Sequence, residues 1–148
     1  MENDHGHHRL RHGRVSTPGQ IYHLTIATRY RLPVFVDLCH ARAVIQVMHC
    51  TALRSRSCSL CYVLMPDHLH WLIRLGDGST LSALVRTVKS VSALRIGRPI
   101  WQAGYHDRAI RTEADVRAVA RYIVANPLRA GLVARVGDYP HWDAVWLV

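Results

Sequence analysis

The sequence has no long apolar run, few acidic residues and a single lysine. No apolar stretch in its 148 residues approaches the roughly 20 residues that a membrane-spanning helix needs, so we expect no membrane partner. The first 14 residues are polar and rich in histidine, which is not the pattern of a secretory signal. We therefore expect a cytoplasmic protein.

The scarcity of acidic residues leaves a large positive charge. Ten Asp and Glu residues stand against 19 Lys and Arg residues, for a formal net charge of +9. All but one of these cations are arginine, the exception being Lys89. Codon usage can explain the preference for arginine over lysine, but it does not explain the excess of basic over acidic residues. A charge of this size is typical of proteins that bind a polyanion, most often nucleic acid.

Cysteines are also few, and they include a single Cys-x-x-Cys pair, Cys58 and Cys61. The segment Cys58–Met65 is predicted to be a strand, in which residues three apart point to opposite faces. Two thiols placed in this way cannot bind one zinc ion. We therefore expect four free, reduced and mostly buried thiols rather than a zinc site.

The hydrophobic fraction of 49% predicts one folded domain, residues 21–148, after a flexible basic lead-in, residues 1–20. Alternating apolar residues predict strands, and apolar residues at helical spacing after a capping Asp, Ser or Thr predict helices. The predicted strands and helices are Tyr22–Tyr30, helix 38–54, Cys58–Met65, His68–Leu75, helix 80–95, a short strand or irregular segment in 97–110, and a helix from Thr112 that ends before Pro127. This order favours an α+β fold, a ferredoxin-like antiparallel sheet with helices packed on one face.

His68 and His70 form the first candidate site. They lie two residues apart on a predicted strand, so both imidazoles project from one face and can bind one metal ion. Leu69 between them points the other way, into the core. Two histidines at this spacing are also often incidental, so the motif alone leaves both interpretations open.

Tyr122 and Asn126 form the second candidate site. They are four residues apart on the last predicted helix, and are therefore neighbours one turn apart. Both lie on one flank of its buried stripe. That stripe consists of Val116, Val119, Ala120 and Ile123. An ordinary half-buried tyrosine would produce the same pattern.

Three segments together carry a family resemblance. They are Tyr62–His70 (YVLMPDHLH), Trp101–Asp107 (WQAGYHD) and Arg121–Val133 (RYIVANPLRAGLV). In this order they resemble the REP-associated tyrosine transposases, which belong to the single-tyrosine HUH transposases of bacterial insertion sequences. The resemblance extends from about Tyr22 to Trp142, and three ordered motifs of this length are very unlikely to agree by chance.

The resemblance implies a DNA transposase of single-tyrosine HUH architecture that cleaves and rejoins single-stranded DNA. Tyr122 falls at the nucleophile, which forms a 5′-phosphotyrosine, and His68 and His70 fall at the metal-binding pair. Asn126 falls at a further polar ligand of the ion, which would be Mg²⁺ or Mn²⁺. The implied partner is a hairpin in single-stranded DNA, met in the bacterial cytoplasm at the nucleoid. One nucleophile per chain implies a homodimer or two rounds of cleavage.

Basic side chains spread along the chain are the candidates for phosphate contacts, although each could equally be a solvated surface charge. They are Arg29, Arg31, Arg86, Lys89, Arg108 and Arg111. By resemblance, the helix that carries Lys89 faces DNA. Trp101 and Tyr105 could stack on bases or fill the core.

Two other functions stay open. The first is a hairpin-binding module of the same fold that does not cut its ligand. The second is a metal hydrolase, which would need further Asp or His ligands. Asp67 is predicted to point to the wrong face of its strand for that role.

Overall fold

Five strands form a single antiparallel sheet in the computed structural model, which describes residues 16–146. The strand order is β4-β1-β3-β2-β5. The strands are β1 (Ile21–Ala27), β2 (Cys58–Met65), β3 (His68–Arg74), β4 (His106–Ile110) and β5 (Trp142–Ala144). The α-helices in the described residues are α1 (Leu38–Arg54), α2 (Leu81–Ile96), α3 (Glu113–Val124) and the short α4 (Asn126–Arg129). The predicted α+β class is confirmed.

The three long helices begin at polar residues that cap them. The side chains of Asp37, Thr80 and Thr112 accept hydrogen bonds from backbone N–H groups of the first turn. Such caps satisfy donors that have no carbonyl partner within the helix. Helix α3 ends at Val124, before Pro127, as predicted. Within residues 16–146, none of the helices is long and apolar enough to cross a bilayer.

Different helices cover the two faces of the sheet. Helices α1 and α2 pack with Leu69, Trp71 and the other residues of one face. Helix α3 packs with Val63 and Leu72 on the opposite face. The prediction that all helices lie on one face therefore needs correction for α3. The physical reason is that β2 and β3 are apolar at consecutive positions, so both of their faces must be covered.

Residues 16–20 of the predicted lead-in belong to the described part of the chain. Residues 1–15 lie outside the described residues, but residues 16–20 are bound to the body of the domain. The side-chain amide of Gln20 donates to the carbonyl oxygen of Ile110 at 2.9 Å. The N–H of Gly19 donates at 2.7 Å to the carbonyl oxygen of Leu75, which follows β3. These bonds attach residues 19 and 20 to β3 and β4.

All four cysteines lie in the described part of the chain and are free thiols. Cys61 is buried, whereas Cys39, Cys50 and Cys58 are exposed. The expectation that most of the thiols are buried is therefore wrong. The reason is that α1 carries two of them on its outer side, and Cys58 lies at the open end of β2.

Gly76 marks a close approach of two backbone segments. A Cβ atom built at this position would lie 2.1 Å from the carbonyl oxygen of Arg56 and 2.4 Å from that of Ser55. The N–H of Gly76 also donates to the hydroxyl of Ser57 at 2.8 Å, which holds the segments together. Only glycine fits here without movement of the backbone.

We expect Gly76→Ala to lower the free energy of unfolding by about 1–3 kcal/mol, because the added methyl group overpacks the contact. Urea unfolding followed by circular dichroism measures this change. Gly137→Ala is the matched control, since a Cβ there meets nothing within 4 Å. It should change stability by less than about 0.5 kcal/mol. Equal midpoints for the two variants would contradict the close approach at Gly76.

Candidate functional site

Strand β3 carries the two histidines on the face of the sheet that α3 covers. In the register with β1, His68 lies opposite Ala27 and His70 lies opposite Thr25. The centroids of the two imidazole rings are 4.9 Å apart, and the ring planes are nearly perpendicular at 87°. His70 is buried, and His68 is partly buried. The rings are therefore close enough to share one ion, as the strand spacing predicts.

Asp67 orients His68. One carboxylate oxygen lies 2.7 Å from Nδ1 of His68, and the other pairs with Nε of Arg31 at 3.3 Å. When Nδ1 donates to the carboxylate, Nε2 carries the lone pair and can bind a cation. The prediction that Asp67 points to the wrong face is therefore incorrect. Asp67 belongs to the turn before β3, where the alternation of a strand does not apply.

Thr28 holds this turn in place. It is fully buried, its N–H donates to the carbonyl oxygen of Asp67 at 2.9 Å, and its hydroxyl contacts the carbonyl oxygens of Leu32 and Asp67. Between these anchors, Tyr30 and Arg31 adopt φ values of 56° and 55°. Left-handed backbone of this kind costs roughly 1–2 kcal/mol per residue. The tight loop brings Arg31 onto Asp67.

His23 and Thr25 of β1 hold the second histidine. Nδ1 of His70 lies 3.0 Å from Nε2 of His23 and 3.2 Å from Oγ1 of Thr25. Burial, followed by the charges of nearby histidines and arginines, lowers the pKa of His70 from 6.5 to about 3. Burial, followed by the charge of Arg108, also lowers the pKa of His23. Both rings are therefore neutral at pH 7, the form in which imidazole binds metal ions.

Sequence reasoning misses His23 and Thr25. Their alternation on β1 places them on one face, and this signal is visible in the sequence. What the sequence does not provide is the pairing of β1 with β3, which puts that face beside His70.

Helix α3 places Tyr122 next to the histidine pair. The centroid of its ring lies 6.0 Å from that of His70, and the ring planes meet at 82°. The side chain is 50% exposed, while Val116, Ala120 and Ile123 of the same helix are buried. The phenol is thus close to the histidines and open to solvent. Tyr122 and the histidine pair, which are far apart in the sequence, therefore lie together in the structure.

Asn126 is the first residue of α4, two residues after α3 ends. Its amide nitrogen donates to the carbonyl oxygen of Tyr122 at 3.0 Å and to that of Ile123 at 3.3 Å. A side-chain donor is useful here because Pro127 has no N–H with which to continue the helix. The amide oxygen of Asn126 is not used by these two bonds. That oxygen is the atom that the predicted role as a metal ligand requires.

Two of the predicted DNA-binding residues lie near the histidines. Arg31 pairs with Asp67, and Arg108 lies opposite His23 in the register of β1 with β4. Arg29 and Arg111 are exposed at the ends of strands β1 and β4.

The other two lie on α2, across the sheet from the histidines. Arg86 is exposed, whereas the ammonium group of Lys89 donates to carbonyl oxygens of Gln102 and Gly104. The centroid of the Trp101 ring lies 5.4 Å from that of Phe35, and the indole N–H of Trp101 donates to the hydroxyl of Ser92 on α2. Trp101 is therefore a packing residue of the interior.

The imidazole rings of His68 and His70 are the two candidate nitrogen donors for a divalent ion at this site. Among residues 16–146, no group of three or more His, Cys, Asp or Glu side chains is arranged to hold a metal ion. Two imidazoles, joined by an amide oxygen from Asn126, would leave coordination positions for phosphate and water. Such an open set would suit Mg²⁺ or Mn²⁺ better than structural zinc.

Comparison with protein families and curated proteins identifies relatives of this chain. The family model described as "Transposase IS200 like" matches residues 16–126. The REP-associated tyrosine transposase of Escherichia coli (strain K12) is 34% identical over 82 residues, which cover 53% of this chain and 49% of that protein. The match therefore spans about half the length of the curated relative.

Two solved structures share the fold. A REP-associated tyrosine transposase bound to a REP hairpin superposes with a TM-score of 0.78 at 24% identity, covering 87% of this chain and 79% of that chain. The crystal structure of a putative transposase from Deinococcus radiodurans gives a TM-score of 0.55 at 22% identity, covering 83% and 95%. Both comparisons support the α+β sheet architecture described above.

Proposed function

Because the chain belongs to the IS200-like transposase family, we propose that it cleaves and rejoins single-stranded DNA at hairpin elements. One observation carries the proposal: the ring of Tyr122 lies 6.0 Å from that of His70, which is itself paired with His68. A nucleophile beside a cation-binding pair provides what phosphoryl transfer to tyrosine needs.

Tyr122 is the nucleophile in this proposal. Its phenolic oxygen bonds to the scissile phosphorus while the bond from phosphorus to the 3′-oxygen breaks. The products are a 5′-phosphotyrosine and a free 3′-hydroxyl group; the phenol loses its proton to solvent and the 3′-oxygen gains one. Since the tyrosyl ester keeps the energy of the phosphodiester, a 3′-hydroxyl group can reverse the step without ATP.

His68 and His70, with the amide oxygen of Asn126, would hold Mg²⁺ or Mn²⁺. A bound ion would neutralise phosphate charge and polarise the phosphorus. The chain itself prepares the pair. Asp67 fixes the His68 ring, and burial keeps His70 neutral, which its pKa of about 3 supports.

Hairpin DNA is the proposed partner, in the bacterial cytoplasm at the nucleoid. The solved structure with a TM-score of 0.78 is that of a transposase bound to a REP hairpin, and the formal charge of +9 suits such a ligand. Arg31 and Arg108 would contact phosphates nearest to the site, and Arg29, Arg86 and Arg111 would contact phosphates further away. Cutting both ends of an element would take a homodimer or two rounds.

The test is a covalent-capture experiment. A labelled single-stranded hairpin with a 5′ flank is incubated with the protein and Mg²⁺ or Mn²⁺, and the products are separated on a denaturing gel. A slow protein–DNA band together with a shorter free strand supports the proposal. Binding without such a band under either metal indicates a non-catalytic hairpin-binding module. Cleavage that never passes through the band indicates a metal hydrolase.

Asp67→Asn should weaken the response to metal. The substitution removes the charge that holds the His68 ring, and loss of such an outer partner typically costs about 10–100-fold in metal affinity. We expect the Mn²⁺ concentration for half-maximal adduct formation to rise by about that factor.

The matched control is Asp77→Asn, because Asp77 is also a turn residue paired with an arginine, Arg56, at 3.2 Å. It should leave the metal response unchanged. Identical metal titrations for the two variants would exclude an orienting role for Asp67.

A further inference from the structure

Arg129 lies on the ring of Tyr122. Its guanidinium carbon is 4.0 Å from the centroid of the ring. One of its terminal nitrogens also donates to the backbone carbonyl oxygen of Tyr122 at 2.9 Å. A single side chain therefore contacts both the ring and the main chain of the same residue.

The end of α3 explains why an arginine reaches this place. Helix α4 spans only Asn126–Arg129 and follows α3 after one residue, Ala125, whose backbone is also helical. Arg129 is therefore about two helical turns beyond Tyr122 and lies on the same side of the chain. Carbonyl oxygens at the end of a helix are open to side-chain donors. The carbonyl oxygen of Tyr122 accepts from both Asn126 and Arg129. The guanidinium group of Arg129 is therefore held by a main-chain atom as well as by the ring.

The position matters because Tyr122 is half exposed. An exposed tyrosine can exchange among staggered rotamers, and in the observed one its ring lies beside His70. A guanidinium group over an aromatic face is attractive and, at an exposed site, can favour one arrangement about two- to fivefold. The second bond, to the main chain of Tyr122, holds the guanidinium group over the ring.

We propose that Arg129 is a positioning residue that holds the phenol of Tyr122 against the His68–His70 pair. The inference rests on the proposed function, since the position of the ring affects a rate only when Tyr122 is the nucleophile. It assigns Arg129 to the alignment of the nucleophile and not to the affinity for DNA.

The first test is the single-turnover rate of adduct formation at saturating hairpin. Arg129→Ala should lower this rate on the order of 10–100-fold, because small misplacements of a reacting group cost that much. The dissociation constant of the hairpin should stay within about twofold. Arg129→Lys keeps the charge but lacks the planar group, so it should not restore the rate.

Arg121→Ala is the matched control. Arg121 precedes Tyr122 on α3 but lines a cleft of about 330 Å³ with Val124 and Trp146, on another flank of the helix. The control should keep both the rate and the affinity of the wild-type protein.

The second test follows the ring itself, without DNA or metal. All six tyrosines are replaced by 3-fluorotyrosine, and the ¹⁹F signal of Tyr122 is assigned from its loss in Tyr122→Phe. In Arg129→Ala and Arg129→Lys this signal should move and narrow, while the other five stay in place. In Arg121→Ala all six signals should be unchanged.

An unchanged rate, or a defect that appears only as weaker hairpin affinity and that lysine repairs, overturns the inference. If the wild-type protein forms no adduct with either metal, the proposed function fails. The fluorine signal alone then decides whether Arg129 positions the ring of Tyr122. A Tyr122 signal that does not respond to loss of Arg129 also overturns the positioning role.

Discussion

Tyr122→Phe should abolish the covalent protein–DNA adduct while hairpin binding persists. The substitution removes only the phenolic oxygen that would attack phosphorus, so we expect a loss of more than about 10³-fold in adduct formation. The ring remains, and with it the contacts to His70 and Arg129. Since the side chain is half exposed, the fold should be preserved.

The measurement combines the denaturing gel with a native binding assay on the same preparation. Tyr30→Phe is the matched control, because Tyr30 is 81% exposed and lies in a loop outside the histidine cluster. It should form adduct at the wild-type rate. An adduct of normal yield in Tyr122→Phe would show that another residue attacks, and would end the present assignment.

The second large effect should come from the histidine pair. Because His68 and His70 are the proposed ligands of the ion, we expect His68→Ala or His70→Ala to lower adduct formation at fixed Mn²⁺ by at least about 100-fold. Loss of an outer-shell partner alone costs about 10–100-fold in metal affinity, and loss of a ligand should cost more. Chelation of the metal should have the same effect on the wild-type protein.

A readout independent of activity separates metal binding from folding. Mn²⁺ binding is followed by electron paramagnetic resonance, and secondary structure by circular dichroism. His49→Ala is the control, since His49 is an exposed histidine of α1, and α1 packs on the other face of the sheet. Mn²⁺ binding that survives the loss of both His68 and His70 would contradict the proposed ion site.

Much of the fold could be predicted because local signals were strong. Helix α1 occupies Leu38–Arg54 and β2 occupies Cys58–Met65, as predicted from apolar spacing and an Asp cap. Strand β1 ends at Ala27, earlier than predicted, because Tyr30 and Arg31 adopt left-handed backbone. The short β5 was not predicted, since three residues cannot establish an alternation.

Part of the site could also be predicted from the sequence, and part could not. His68, His70 and Tyr122 were found from spacing and resemblance, and the structure brings them together, although their roles stay predictions. His23 and Arg129 are not found, because the role of His23 depends on strand register and that of Arg129 on how α4 follows α3. Neither is a local property of the sequence.

The edge of the sheet has a consequence for the integrity of the chain. Strand β2 is eight residues long and mostly buried, and the three residues of β5 are its only strand partner on the outer side within residues 16–146. Flanking bonds from Leu64 to His141 and from Val145 to Leu60 extend that cover by little. Proteolytic removal of the segment around Trp142 would expose the unpaired backbone N–H and C=O groups along the edge of β2. Exposed edges of this kind pair with those of other molecules, so the cleaved protein should aggregate.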